Sequence, residues 1–144
     1  MATAELESIR RVLVAFDGSE PAVRALMRAI AMVPADGFLA VIHVVPRLAP
    51  GVRPGHAAEP AALDAQRRIL AEAKTVVPEA IRSRTQWFAA CGKVAGEIVA
   101  RAREFDAGLI VIGTRGLGGA GRWLLGSVSE AVAHHAACDV WLVR

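Results

Sequence analysis

Short apolar runs alternate with helix-patterned segments along the chain, and this alternation limits the possible folds more than any other feature. Arg11-Val12-Leu13-Val14-Ala15-Phe16, Phe38 to Val45, Thr85 to Ala90, Leu109-Ile110-Val111-Ile112 and Val140-Trp141-Leu142-Val143 read as five strands. The intervening segments carry helical spacing. Val23, Leu26, Met27 and Ile30 fall on one face of the first helix, and Leu63, Ile69, Leu70 and Val76 mark a second between Ala61 and Val77. Val94, Ile98, Val99 and Ala102 give the third its buried face, and a fourth runs from Val128 to His135. Strict alternation predicts a parallel sheet with right-handed crossovers and helices on both faces. The expected architecture is one open, doubly wound, Rossmann-like α/β domain over residues 1–144, with five strands in the order 3-2-1-4-5 and four helices.

The bulk composition agrees with such a core. A chain of 144 residues can bury one without disulfides or metals. The hydrophobic fraction of 54% and mean hydropathy of +0.40 suit strands covered on both faces. The net charge of +3 comes from scattered singles and pairs (Arg10-Arg11, Arg67-Arg68, Arg82, Arg84, Arg101, Arg103), not from a stripe, so a nucleic-acid partner is not expected. No apolar run approaches the ~20 residues of a membrane span, so no membrane partner is expected either. The acidic, polar start Met1-Ala2-Thr3-Ala4-Glu5-Leu6-Glu7-Ser8 lacks the pattern of a signal peptide, which predicts a cytoplasmic protein. Cys91 and Cys138 form no C-x-x-C pair and read as packed thiols in a reducing compartment.

Punctuation between the runs places the loops. Asp17-Gly18-Ser19-Glu20-Pro21 ends the first strand; Ser19 is a candidate helix cap, and Pro21 suits the first turn. Pro46 to Pro60 holds four prolines and two glycines and reads as an irregular loop. Pro78 closes the second helix, and Cys91-Gly92-Lys93 reads as the next turn from strand to helix. His43 reads as a packed or backbone-bonded strand residue. The adjacent His134 and His135 suit the negative end of a helix dipole better than a shared metal.

The chemistry concentrates in Gly113-Thr114-Arg115-Gly116-Leu117-Gly118-Gly119-Ala120-Gly121-Arg122-Trp123-Leu124-Leu125-Gly126-Ser127, between a buried strand and a helix. Such a loop lets backbone N–H groups and the helix dipole meet an anion, and phosphate is the expected guest. Gly116, Gly118 and Gly121 spell G-x-G-x-x-G, but no acidic residue closes a following strand, as dinucleotide recognition requires. Gly116 to Gly121 also spells the glycines of a P-loop, yet Arg122-Trp123 stands where Lys and Ser or Thr are needed. The pattern G-x2-G-x9-G-[S/T] fits without exception, as Gly113, Gly116 and Gly126-Ser127. Ser127-x-x-Glu130 is also a capping-box pattern, which puts Ser127 at a helix start.

On these residues, together with Val12-Leu13-Val14-Ala15-Phe16-Asp17-Gly18-Ser19, His43-Val44 and Leu124-Leu125-Gly126-Ser127-Val128-Ser129-Glu130, the chain resembles the universal stress protein family, in its ATP-binding branch. The resemblance implies a nucleotide-dependent regulatory protein that binds ATP, with or without Mg2+, and forms a homodimer through the C-terminal strand Val140 to Val143. It places Asp17 near the adenosine and the backbone of Val44 at the adenine edge. Gly113, Gly116, Gly126, Ser127 and Val128 would hold the phosphates, with Ser129 close by and Ala15 and Ile112 among the binding residues. The segment between Gly116 and Gly126 is then expected to be a lid or a flexible span and not the cradle itself. Cys138-Asp139 departs from the Cys-Pro of many relatives, and Trp141 stands inside the last strand. No hydrolase motif is present, so catalytic residues are not expected; slow ATP cleavage near Asp17, or a nucleotide-free scaffold, are the alternatives.

Overall fold

A computed structural model describes residues 9–47, 60–114 and 126–144. Five strands form one parallel sheet: β1 (Arg11–Ala15), β2 (Phe38–Pro46), β3 (Thr85–Gly92), β4 (Leu109–Gly113) and β5 (Asp139–Val143), in the order β3-β2-β1-β4-β5. The predicted strand order therefore holds. Five helices, not four, connect them: α1 (Glu20–Met32), α2 (Pro60–Val76), α3 (Glu79–Arg82), α4 (Val94–Glu104) and α5 (Ser127–His135). The extra element, α3, is a single turn with no buried residue, so no apolar periodicity announces it.

Side chains of the inner strands alternate between two cores because both sheet faces are covered. Val12, Val14, Leu39, Val41, Leu109 and Val111 pack with Ala22, Ala25, Leu26 and Ala29 of α1 and Ala73 of α2. Leu13, Ala40, Ile42, Ile110 and Ile112 pack with Ile98 and Ala102 of α4 and Val132 of α5. Each fully buried Val, Leu or Ile contributes about 1.5–3 kcal/mol, so the three inner strands dominate the stability.

Several details differ from expectation. Met27 is 59% exposed and Leu63 is at the surface, while three alanines and Leu26 are the buried residues of α1, and Gln66 and Ala73 are those of α2. Alanines let a helix lie close to a sheet, which pushes a long side chain at the edge of the stripe outward. Strand β3 continues through Cys91 and Gly92, because the ladder with β2 reaches Pro46↔Gly92 and Arg47 N–H still donates to Gly92 O at 3.1 Å. Cys91 is accordingly exposed at this edge and is no core filler. Cys138 is half-buried, and burial pushes its thiol above the usual value. Pro46 belongs to β2 and Pro60 to α2, and the rest of that expected loop beyond Arg47 lies outside the described residues, as does the start Met1 to Ser8.

Candidate functional site

The strand order reverses between β1 and β4, and the helices that follow them, α1 and α5, pack on opposite faces of the sheet. A crevice at the carboxyl ends of the strands is the expected result. A cavity of about 500 Å³ opens there. Ala15 and Asp17 line it from the end of β1, Val44 from β2, Ile112 and Gly113 from β4, and Gly126, Ser127, Val128 and Ser129 from the start of α5. Nine of the ten residues singled out in the sequence therefore share one cavity wall. The tenth, Gly116, lies outside the described residues, with Arg115, Arg122 and the expected lid.

The start of α5 supplies the cavity with backbone donors. Its N-cap is Gly126, which has no side-chain acceptor, and the first intrahelical bond runs from Glu130 N–H to Gly126 O at 2.9 Å. The N–H groups of Ser127, Val128 and Ser129 precede that bond and carry the positive end of the helix dipole. The capping-box expectation is overturned here, since Ser127 is the first helical residue and not the cap. Its side chain is exposed at the rim. Ser129, 2% exposed, turns its hydroxyl back to donate to Gly126 O at 2.9 Å. That bond fixes the first turn of α5 and commits the Ser129 hydroxyl to the protein.

The start of α1 forms another wall. Gly18 adopts φ +79°, which sharply reverses the chain after β1. Asp17 Oδ1 accepts from Ser19 N–H at 2.9 Å, leaving Oδ2 without a partner among the described residues, and Ser19 Oγ accepts from Ala22 N–H at 3.3 Å as the predicted cap. Gly113 allows a close approach of a different kind: a Cβ there would lie 2.6 Å from Pro21 C and O. The need for glycine at this position comes from packing β4 against α1.

Some contributors were not singled out from the sequence. Phe16, Ile42, Val94 and Ile98 supply apolar lining. Their pattern marked them as strand or core-facing helix residues, but nothing in it marked the end of the sheet where they emerge. Thr114 also lines the cavity, and it is tied to the last strand by its N–H and Oγ1, which donate to Val143 O at 2.8 and 3.2 Å. His43 is buried as expected, with Nδ1 2.8 Å from Phe16 O. Gln66, unremarked in the sequence, donates from Nε2 to His43 O at 3.2 Å and to Ala90 O at 3.0 Å. Among the described residues no group of three or more His, Cys, Asp or Glu could hold a metal ion. No described helix is long and apolar enough to cross a membrane.

Comparison with known proteins places this geometry. The model of the Universal stress protein family matches residues 8–144. A Thermus aquaticus universal stress protein, from the 3' region of a QAH/OAS sulfhydrylase, is 37% identical over 140 residues; the match covers 94% of this chain and 98% of the relative. Among solved structures, a universal stress protein in complex with cAMP superposes with a TM-score of 0.74 at 26% identity, over 95% of this chain and 98% of the other. One from Archaeoglobus fulgidus gives 0.69 at 25% identity, over 93% and 98%. The sheet order, the crevice at its reversal and the sequence match over nearly the whole length lead to one assignment: the chain belongs to the universal stress protein family.

Proposed function

We propose that this protein is an adenine-nucleotide-binding regulator of the universal stress response, of the branch that binds ATP through G-x2-G-x9-G-[S/T]. The observation that carries the reading is the uncapped start of α5, whose N–H groups open onto a cavity of about 500 Å³. That size is typical of small-molecule sites. The solved relative in complex with cAMP supports an adenine nucleotide as the ligand class.

In this reading the N–H groups of Ser127 and Val128 hold the phosphates, with the backbones of Gly113, Gly116 and Gly126 beside them and Ser129 bracing the turn. Asp17 Oδ2 accepts a ribose hydroxyl or faces a hydrated Mg2+ that accompanies ATP. The Val44 backbone meets the base, and Ala15 and Ile112 pack near it. Nucleotide occupancy then alters contacts with a protein partner. Strand β5, at the open edge of the sheet with Val140, Trp141 and Leu142 half-buried, provides a surface for a homodimer. The free thiols Cys91 and Cys138 suit a cytoplasmic setting.

Calorimetric titration with ATP and with adenosine tests the phosphate assignment through Ser127→Asp. An acidic residue in the first helical turn leaves folding intact. Its charge next to the phosphates lowers ATP affinity by about tenfold or more, equivalent to about 1.4 kcal/mol, while adenosine affinity stays unchanged. Equal ATP affinity in the variant and the parent protein would refute the assignment.

A further inference from the structure

His43 touches a carbonyl that should have been closed by the sheet, and the consequence falls on its neighbour Val44. The backbone of β2 alternates between its two partner strands. Phe38 N–H donates to Arg10 O at 2.7 Å, and Ile42 O accepts from Phe16 N–H at 2.8 Å, so even-numbered residues face β1. Leu39 N–H donates to Arg84 O at 3.0 Å and Arg47 N–H to Gly92 O at 3.1 Å, so odd-numbered residues face β3. In a parallel ladder the rung after Phe16 N–H to Ile42 O runs from Val44 N–H to Phe16 O.

That rung is absent among the described backbone bonds. Phe16 O instead meets His43 Nδ1 at 2.8 Å. A carbonyl only accepts, so Nδ1 carries the proton and the imidazole is the donor. The chain then turns away from β2 at Asp17 and Gly18. Val44 is 7% exposed and lines the cavity, so its N–H and C=O face the gap that β1 has left. On the opposite side of β2, Gln66 holds the strand by donating to His43 O and Ala90 O.

We infer that His43 is a positioning residue: by donating from Nδ1 to the Phe16 carbonyl it keeps the last β1–β2 rung open, leaving the Val44 N–H and C=O free to hydrogen-bond the edge of a nucleobase. The adjacent donor and acceptor match the N1 acceptor and exocyclic amino donor of adenine. The identity of the base rests on the proposed nucleotide-binding function; the open rung does not. Without the imidazole, the buried carbonyl finds its partner in Val44 N–H, the rung closes and the base loses its contact.

Two variants of the full chain separate these roles. His43→Asn keeps an N–H donor near the position of Nδ1, and His43→Leu removes it. In the nucleotide-free protein, amide exchange followed by NMR is expected to be fast at Val44 relative to Ile42 in both the parent and His43→Asn. In His43→Leu the Val44 amide slows by about tenfold or more as it joins the ladder. The imidazole nitrogen spectrum shows the proton on Nδ1. His43→Leu weakens ATP binding about tenfold and leaves tripolyphosphate binding unchanged, while His43→Asn restores ATP binding. A Val44 amide as protected as Ile42 in the parent protein overturns the inference, as does equal loss of ATP binding in both variants or no loss in His43→Leu. If the parent binds no ATP but the Val44 amide slows in His43→Leu, the nucleotide reading fails and the open rung stands.

Discussion

Helices α1 and α5 both begin at the same cavity, yet among the described residues α1 leaves only the Glu20 N–H of its first turn unpaired, whereas α5 leaves those of Ser127, Val128 and Ser129. At α1, Ser19 Oγ takes the Ala22 N–H, Asp17 Oδ1 takes the Ser19 N–H, and Pro21 has no N–H to offer. At α5 the cap is Gly126, no side chain among the described residues accepts from the first turn, and the hydroxyl of Ser129 donates in the other direction. The difference lies in one position of each helix. A residue with a side-chain oxygen at the cap closes the helix start on itself, and glycine leaves it to a ligand.

Gly113 lets the start of α1 press against β4, and a Cβ would meet Pro21 backbone atoms at 2.6 Å. Gly113→Val should therefore destabilise the fold by about 3 kcal/mol, read as a lower midpoint in urea. A variant as stable as the parent that has lost only nucleotide binding would move Gly113 from packing to ligand contact. Removing the closed cap has a smaller effect. Ser19→Ala should cost about 1 kcal/mol in the same denaturation experiment and leave ATP affinity unchanged, because the α1 donors serve the protein.

The finest test converts one helix start into the other. Gly126 sits at φ −62°, ψ 148°, a conformation open to any residue, so Gly126→Ser can supply α5 with the cap that α1 has. Stability should rise by a few tenths of a kcal/mol, while ATP binding weakens as the new hydroxyl competes for the N–H groups. Stability and affinity rising together in thermal melts and titrations would mean that the open start of α5 is not the phosphate site.

Much of the fold and half of the residues lining the candidate cavity are legible in the sequence because their determinants are local. The apolar runs at Val12, Phe38 and Leu109 needed no partner to be seen as strands, and Ser19 with Pro21 announced a helix start. Errors arose where a local pattern had two uses. Ser127-x-x-Glu130 looks like a capping box, but Gly126 takes the cap and Ser127 becomes the first helical residue. Met27 and Leu63 satisfy helical spacing, yet they lie outside the packed stripe because Ala22, Ala25, Ala29 and Ala73 bring the helices down onto the sheet. Cys91-Gly92 resembles a turn, while its pairing with Val45 and Pro46 keeps it extended as the end of β3.

The sequence by itself determined the alternation of strands and helices, the two-faced core and the Ser19 cap of α1, since these depend on side-chain type at fixed spacing along one segment. Only the tertiary structure decided which backbone groups stay open. Whether Val44 N–H is paired depends on where β1 turns away from β2, and on His43 reaching a carbonyl 27 residues away in sequence. Hydrogen-bond vacancies are set by neighbours that the chain brings together in space, so no reading of one segment alone can find them.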